Sequence, residues 1–479
     1  MELHKLSLIE LSELLDKGEV TSYQLVRYFL TRIEQYDMQG PKVNAVLEIN
    51  PEALQIAKAR DIERVNGEKN SYLHGIPILI KDNISTDDMN HTSGGSLALA
   101  ESYALRDSFV AQKLREAGAI ILGKANMTEW ANFMAKNMTN GYSSRGGQVK
   151  NPYGLDCFDV GGSSSGSAAS VASGMVPISI GTETFGSILS PAANNMLVGI
   201  KPTVGLVSRS GIIPISPAQD VAGPITKTVK DAAILLQSIA GYDPEDEVTK
   251  SSVYVNTDYL RDIEDASLEG KRFGVLRTAF EKLDPARVKL INKAINECKE
   301  LGAEIIDDLE IKDADSLDLL PLIYEFKPAL NSYLENYTNT EIRNLADVIR
   351  FNHSNRNTLE FGQYYLIEAE STSGTLTESK YIKTKLRDLE ICKDGLDKLI
   401  ISNEIDALIL PGNYGSGITA RAGYPSITIP SGKTEDNRPF GITFSGLPFS
   451  EKQLIEIAYA YEKSTKHREW PLFDTPRSC

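Results

Sequence analysis

The 479-residue sequence lacks the features that would identify a zinc protein, a secreted protein or a membrane protein. Its four cysteines are scattered and form no C-x-x-C pair, so no zinc site is predicted. No apolar run reaches the ~20 residues that a membrane helix needs. The first 20 residues form a charged amphipathic pattern and do not resemble a signal peptide. We therefore expect a cytoplasmic protein that does not associate with a membrane.

Positive charge is also in short supply. The chain has 50 Lys and Arg against 65 Asp and Glu, a formal net charge of -15. An acidic surface repels phosphate backbones, so nucleic acid is not expected as a partner. The hydrophobic fraction of 41% and the charged fraction of 24% are typical of a globular protein.

Short apolar runs and helical periodicities alternate along most of the chain, which favours an α/β fold. Length alone would suggest two or three domains, but no repeat or low-complexity linker divides the sequence. We expect one domain with N-terminal helices over 1–65, a core over 66–307, a helical insertion over 308–400 and the rest of the core over 401–479. Continuous apolar runs predict buried strands at 76–80, 119–122 and 176–180. Further strands are predicted at 273–276, 303–306, 407–410, 426–429 and 441–444.

Three segments contain residues that are able to take part in catalysis. Lys81 directly follows the apolar run 76–80, and burial at a strand end should lower its pKa, so that the neutral amine can act as a base. Residues 160–170 read VGGSSSGSAAS, where paired glycines allow close backbone approach and serines can relay protons. Residues 181–192 read GTETFGSILSPA and follow another apolar run, so successive backbone N–H groups there can form an oxyanion hole.

The order of these three segments resembles the amidase signature family, and the similarity extends over most of the chain. That family implies one large α/β domain whose mixed central β-sheet is flanked on both faces by helices. It also implies a Ser-Ser-Lys triad in which the middle serine follows a cis peptide bond. The resemblance assigns Ser187 as the nucleophile, Ser163 as the bridging serine and Lys81 as the base. It places Ser164 in a supporting role behind them and implies oxyanion donation from the backbone N–H groups of Thr184, Phe185, Gly186 and Ser187.

The nucleophile segment and VGLVSRSGIIPIS after it are most similar to the peptide amidase branch, which releases ammonia from C-terminal carboxamides of peptides. Two positions depart from the family pattern. Phe185 replaces a glycine or aspartate, and Leu189 replaces a common arginine. The resemblance implies a small-molecule or peptide amide substrate, an acyl-enzyme, no metal or organic cofactor, and a monomer or homodimer.

Other interpretations stay open at this point. Residues 162–166 read GSSSG, a G-x-S-x-G sequence that would make Ser164 the nucleophile of a Ser-His-Asp hydrolase with His353 or His467. A second possibility is the ammonia-producing subunit of a tRNA-dependent amidotransferase, which shares the signature. A third, of a different class, is a catalytically inactive relative that binds a ligand. Asn126 and Asn132 are expected to be structural.

Overall fold

Strands and helices alternate along the chain in the computed structural model, which describes residues 1–254 and 257–473. The strands are β1 (Val46–Ile49), β2 (Pro77–Lys81), β3 (Ile120–Ala125), β4 (Tyr142–Ser143), β5 (Gly147–Gln148), β6 (Ile178–Glu183), β7 (Val198–Lys201), β8 (Val221–Thr226), β9 (Arg272–Leu276), β10 (Glu304–Leu309), β11 (Ala407–Pro411), β12 (Ser426–Lys433) and β13 (Pro439–Ser445). The α-helices are α1 (Leu8–Asp16), α2 (Ser22–Ile33), α3 (Ala53–Val65), α4 (Phe109–Glu116), α5 (Ser165–Ala172), α6 (Leu189–Asn194), α7 (Val229–Ile239), α8 (Pro285–Glu300), α9 (Leu320–Tyr337), α10 (Leu345–Ser354), α11 (Tyr364–Glu370), α12 (Ser379–Leu389), α13 (Gly395–Ser402), α14 (Ser416–Ala422) and α15 (Glu451–Thr465).

Eleven of the strands form one mixed sheet in the order β1-β3-β2-β6-β8-β7-β12-β13-β11-β9-β10, and β4 pairs with β5 in a separate hairpin. β2 runs parallel to both of its neighbours, β3 and β6. In the middle of the sheet, β8, β7, β12 and β13 pair antiparallel in that order. Helices flank the sheet, with α5 packed on β6 and α15 on β12. The predicted α/β class with a mixed central sheet is confirmed.

The apolar runs become strands because both faces of the sheet are covered. Every residue of β2 and β6 is buried, as a continuous apolar run predicts. All eight predicted strands are present, most of them extended by a few residues. Three strands of the large sheet were not predicted: β1, β7 and β8. β8 contains an internal Gly-Pro pair, which is uncommon inside a strand, so its sequence is a weak strand signal.

The N-terminal region shows how local capping fixes helix starts. Ser7 and Glu10 form a reciprocal capping box at α1, and Thr21 and Gln24 form another at α2. The expectation of helices alone over 1–65 is wrong at one place, because β1 lies in this region and pairs antiparallel with β3. Its four residues VLEI are too few to give a period that distinguishes a strand from a helix.

The residues between 308 and 400 are mainly helical and include α9 to α13. α9 supplies the buried Phe326, Leu330 and Leu334 to an apolar cluster that also contains Trp130 and Phe133. The helical region is therefore packed against the loop after β3, close to the ends of the central strands. Within the described residues, no helix has both the length and the apolar character needed to cross a membrane.

Candidate active site

The centre of the site lies where two parallel strands end side by side. β2 and β6 are neighbours, with Ile80 opposite Ile180. Because neighbouring parallel strands end at the same edge of a sheet, Lys81 at the end of β2 meets Thr182 near the end of β6. The loop before α5 brings Ser163 to the same edge. Three segments that are distant in sequence thus meet at one point.

The Lys81 side-chain nitrogen is surrounded by hydroxyl and carbonyl oxygens. Its Nζ donates to Ser163 Oγ at 2.7 Å, to Thr182 Oγ1 at 2.9 Å and to the Thr182 carbonyl at 3.1 Å. The side chain is fully buried. Burial lowers the pKa of Lys81 to about 7, although the nearby carboxylates of Glu183 and Asp220 act in the opposite direction. A substantial fraction of neutral amine is therefore present near neutral pH, in agreement with the expectation for this lysine.

The loop that carries Ser163 is pressed tightly against its surroundings. The Gly162–Ser163 peptide bond is cis. Gly161 has a φ of +75°, and a Cβ there would lie 2.6 Å from the Pro191 Cα. A Cβ on Gly162 would lie 2.7 Å from the Thr128 hydroxyl. The paired glycines are therefore required for this close approach, as predicted from the GG pair.

Ser164 joins the two serine-bearing loops and is fully buried. Its hydroxyl donates to the Thr182 carbonyl at 3.0 Å and accepts from the Thr182 N–H at 3.2 Å. Its backbone N–H donates to the Ser187 carbonyl at 3.2 Å. The hydroxyl is thus committed to β6 and is not placed for nucleophilic attack. The two histidines available to a G-x-S-x-G hydrolase are placed elsewhere, with His353 exposed on α10 and His467 bonded to Glu297 at 2.9 Å.

Ser187 follows a tight turn between β6 and α6. Gly186 has a φ of +77°, a conformation that favours glycine. The buried Glu183 carboxylate organises this turn by accepting from the N–H groups of Gly186 at 2.6 Å, Ile188 at 2.7 Å and Leu189 at 3.0 Å. Gly186 was expected to be an oxyanion donor, but in this conformation its N–H is bound to Glu183. Ser187 itself is 8% exposed.

Three other N–H groups of the same turn stay free of protein partners. In the part of the chain that the structure describes, the backbone N–H groups of Thr184, Phe185 and Ser187 donate to no protein acceptor. The Thr184 side chain is held by a hydrogen bond from its Oγ1 to Asp220 Oδ1 at 2.6 Å. Successive unpaired N–H groups in a turn can bind a developing negative charge.

The two departures from the family pattern lie in different environments. Phe185 is 38% exposed, and the Arg421 guanidinium lies 5.9 Å from the centre of its ring. Leu189 is fully buried at the start of α6. Phe185 therefore faces the outside of the turn that precedes Ser187, whereas Leu189 packs in the core.

Asn126 lies in the core of the surrounding framework. It is buried, its Nδ2 donates to the Asn44 carbonyl at 3.1 Å, and its Oδ1 accepts from the Ser143 hydroxyl at 2.9 Å. The expectation that it is structural agrees with these contacts. Asn132 has a left-handed φ of +70° and a long contact of 3.5 Å to Asn140.

Several residues of the site carried no signal strong enough to be assigned from sequence. Thr182, Glu183 and Asp220 contact the predicted groups, and Asn83 lies behind them, where its Nδ2 donates to Thr182 Oγ1 at 2.9 Å. Glu183 and Asp220 lie within the recognisable segments GTETFGS and QDVAGPI, so their positions could have been flagged. Their contacts could not be predicted, because each contact depends on how the chain folds back on itself.

The comparisons with known proteins agree with this geometry. The family model described as Amidase matches residues 24–416. A probable amidase of Arabidopsis thaliana is 43% identical over 96% of this chain and 90% of its own length. The chain belongs to the amidase family, and specifically to its amidase signature enzymes.

Two further relatives show the breadth of the family. The native peptide amidase from Stenotrophomonas maltophilia has a TM-score of 0.91 and 39% identity over 98% of this chain and 99% of its own. A glutamyl-tRNA(Gln) amidotransferase subunit of Pseudomonas fluorescens is 34% identical over 97% of this chain and 98% of its own length. The protein is a hydrolase acting on carbon–nitrogen bonds other than peptide bonds and is structurally close to peptide amidase.

Proposed function

We propose that this amidase cleaves terminal carboxamides of peptides, or of related small amides, through Ser187, Ser163 and Lys81. The observation that carries the proposal is the 2.7 Å hydrogen bond from Lys81 Nζ to Ser163 Oγ, made by a buried lysine whose pKa is lowered to about 7. Burial alone does not single out this lysine, because Lys124 and Lys201 are also buried with lowered pKa values. Its contact with a serine hydroxyl beside the Ser187 loop is what favours a general base.

The proposed reaction begins with a proton relay. Neutral Lys81 accepts the Ser163 hydroxyl proton as Ser163 accepts the proton of Ser187. The Ser187 oxygen then attacks the amide carbon and forms a tetrahedral intermediate. Among the described residues, the hydroxyls of Ser163 and Ser187 share no hydrogen bond in the free enzyme, so the relay requires closer approach in the complex, as is common for catalytic pairs.

The charge on the substrate oxygen is bound by the unpaired N–H groups of Thr184, Phe185 and Ser187. Removing one such donor costs an enzyme roughly 3–4 kcal/mol of transition-state stabilisation. The proton returns along the relay to the leaving nitrogen, and the C–N bond breaks to release ammonia. Water then attacks the ester of Ser187, losing its proton to the same relay, and the carboxylic acid leaves.

The similarity to peptide amidase favours a peptide carboxamide as substrate. An assay panel tests this: a dipeptide amide, a short aliphatic amide, an anilide and an ester of matched acyl group, with release of ammonia, amine or alcohol measured. We expect ammonia from the peptide amide at the highest kcat/KM. Preferential cleavage of the anilide, with the peptide amide inert, would rule out the substrate assignment while leaving the amidase activity intact. Cleavage of the ester alone would contradict amide hydrolysis as well.

The second candidate is the ammonia-producing component of an amidotransferase. The observation in its favour is the 34% identity to the Pseudomonas fluorescens amidotransferase subunit over nearly the full length of both chains. This candidate predicts glutamine hydrolysis, so glutamine belongs in the same panel. Labelling of wild type but not of Ser187→Ala by a serine-directed phosphonate tests Ser187 as the nucleophile and distinguishes the hydrolase from a relative that only binds a ligand.

A further inference from the structure

The carboxylate of Asp220 connects two parts of the active site. Asp220 is 9% exposed and lies directly before β8. Its Oδ1 accepts from the Thr184 hydroxyl at 2.6 Å. Its Oδ2 accepts from the backbone N–H groups of Ile215 at 2.8 Å and Ser216 at 2.9 Å. One carboxylate therefore fixes the nucleophile turn to the 215–216 loop.

The same loop is fixed in turn to the helical region. The Ser216 hydroxyl donates to Glu325 Oε2 on α9. Glu325 is buried, and its other oxygen accepts from the Tyr381 hydroxyl at 2.8 Å and from Lys385 Nζ at 2.7 Å, both on α12. A continuous series of hydrogen bonds thus runs from two helices to Thr184, whose own N–H is among the unpaired donors of the turn.

We propose that Asp220 is a positioning residue that aims the Thr184 N–H at the substrate oxygen, and that Glu325 fixes Asp220 to the helical region. This inference rests on the proposed function, because it assumes that the nucleophile turn forms the oxyanion hole. Within the described residues no protein acceptor holds the Thr184 N–H. The residue is held instead by the hydrogen bond from its hydroxyl to Asp220 and by Gln219 Nε2, which donates to its carbonyl at 3.2 Å. Misplacing a reacting group by about 1 Å can cost roughly a hundredfold in rate.

Asp220→Asn tests the role with little change of shape. A carboxamide has one acceptor oxygen, so while it accepts from the 215–216 N–H groups its nitrogen can only donate to the Thr184 hydroxyl, which reverses that hydrogen bond and removes its charged acceptor. We expect kcat to fall about tenfold to a hundredfold with KM changed less than about threefold, as for loss of an interaction made mainly in the transition state. Thr184→Val should give a similar loss, and Thr184→Ser, which keeps the hydroxyl, should restore most of kcat.

The double variant Asp220→Asn with Thr184→Val gives the sharpest result. If Asp220 acts through Thr184, the double variant loses little more kcat than either single variant, because the two changes break one interaction. The proposal would be overturned if the two single-variant losses of kcat multiplied in the double variant. It would also be overturned if Thr184→Ser and Thr184→Val lowered kcat equally. If Asp220→Asn does not fold, the comparison of Thr184→Ser with Thr184→Val still decides whether the hydroxyl contact matters.

The link to the helices is tested with Glu325→Gln, which replaces one of its two carboxylate oxygens. We expect a smaller loss of kcat, about twofold to tenfold, that does not multiply with that of Asp220→Asn. If a folded Glu325→Gln enzyme had the wild-type kcat, the proposed role of Glu325 in fixing Asp220 would be overturned. Labelling of Ser187 by the phosphonate distinguishes the two proposals. If the wild-type enzyme is not labelled, the proposed function is wrong. If the Asp220→Asn variant is labelled and has the wild-type kcat, only the positioning role is wrong.

Discussion

The backbone N–H of Ser164 donates to the backbone carbonyl of Ser187 at 3.2 Å, and this contact joins the two loops that supply the serines. The Ser164 hydroxyl is bonded on both sides to the Thr182 backbone. The two serines are thus expected to respond differently to substitution.

Ser187→Ala should abolish amide hydrolysis and leave the melting temperature close to that of wild type, because the Ser187 hydroxyl donates to no protein group among the described residues. Ser164→Ala is the matched comparison. It should lower stability by about 1–3 kcal/mol by removing the buried hydroxyl that accepts from the Thr182 N–H, and reduce activity only in part. Full activity in Ser187→Ala together with no activity in Ser164→Ala would instead favour Ser164 as the nucleophile of a G-x-S-x-G hydrolase.

The rate should depend on pH through Lys81. The amine must be neutral to act as base, so kcat/KM should rise as pH increases through about 7 and level off above it. Lys81→Met should remove most of the hydrolysis rate and also the rise of kcat/KM with pH. Because a histidine also titrates in this range, the variant and not the midpoint alone identifies the lysine. A limb of the same shape in the residual activity of Lys81→Met would assign the titration to another group.

Lys81 should also destabilise the folded protein near neutral pH. Its folded pKa of about 7 lies below the ordinary lysine value of 10.5, so the unfolded chain binds the extra proton between these limits. Wild-type stability relative to Lys81→Met should therefore rise with pH, by about 1.4 kcal/mol per pH unit between about 7 and 10. Denaturant unfolding of both proteins across this range measures the difference, and a constant difference would contradict the lowered pKa.

Phe185 should influence specificity more than stability. Its ring is 38% exposed beside Arg421, so it is not a core residue. Phe185→Asp should lower kcat/KM for an aromatic or apolar amide relative to a polar carboxamide, since phenylalanine favours apolar surface. Phe185→Leu is the control that keeps an apolar side chain. A large fall in melting temperature with equal loss on all substrates would instead show that the ring acts through packing.

Gly166 should tolerate no side chain. A Cβ there would lie 2.3 Å from the carbonyl oxygens of Ala45 and Asn126, which are backbone atoms that cannot easily move. Gly166→Ala should destabilise the fold by roughly 1–3 kcal/mol through overpacking. Gly417→Ala in α14 is the matched control, because the nearest atom to its Cβ is the flexible tip of Arg421 at 3.2 Å. Thermal unfolding of both variants tests the contrast.

Features that depend on neighbouring residues could be predicted from the amino-acid sequence. Short apolar runs predicted eight strands of the large sheet, and all of these except β10 are buried over most of their length. The GG pair and the lysine at the end of β2 indicated where catalytic groups could lie. The family resemblance then supplied the order of the triad. Thr182 remained unassigned, since a threonine inside a strand has no period or spacing that reveals its partner.

The way in which these segments meet depends on the folded chain and was not predictable from sequence. The parallel pairing of β2 with β6 places Lys81 beside Thr182, although 101 positions separate them. Glu183 binds the Gly186 N–H that was expected to serve the substrate, and Asp220 holds Thr184 instead. Each of these contacts depends on the direction of a side chain after the loops have packed. Sequence patterns encode which residues are buried, whereas the partner of a buried polar group is set by the packing that buries it.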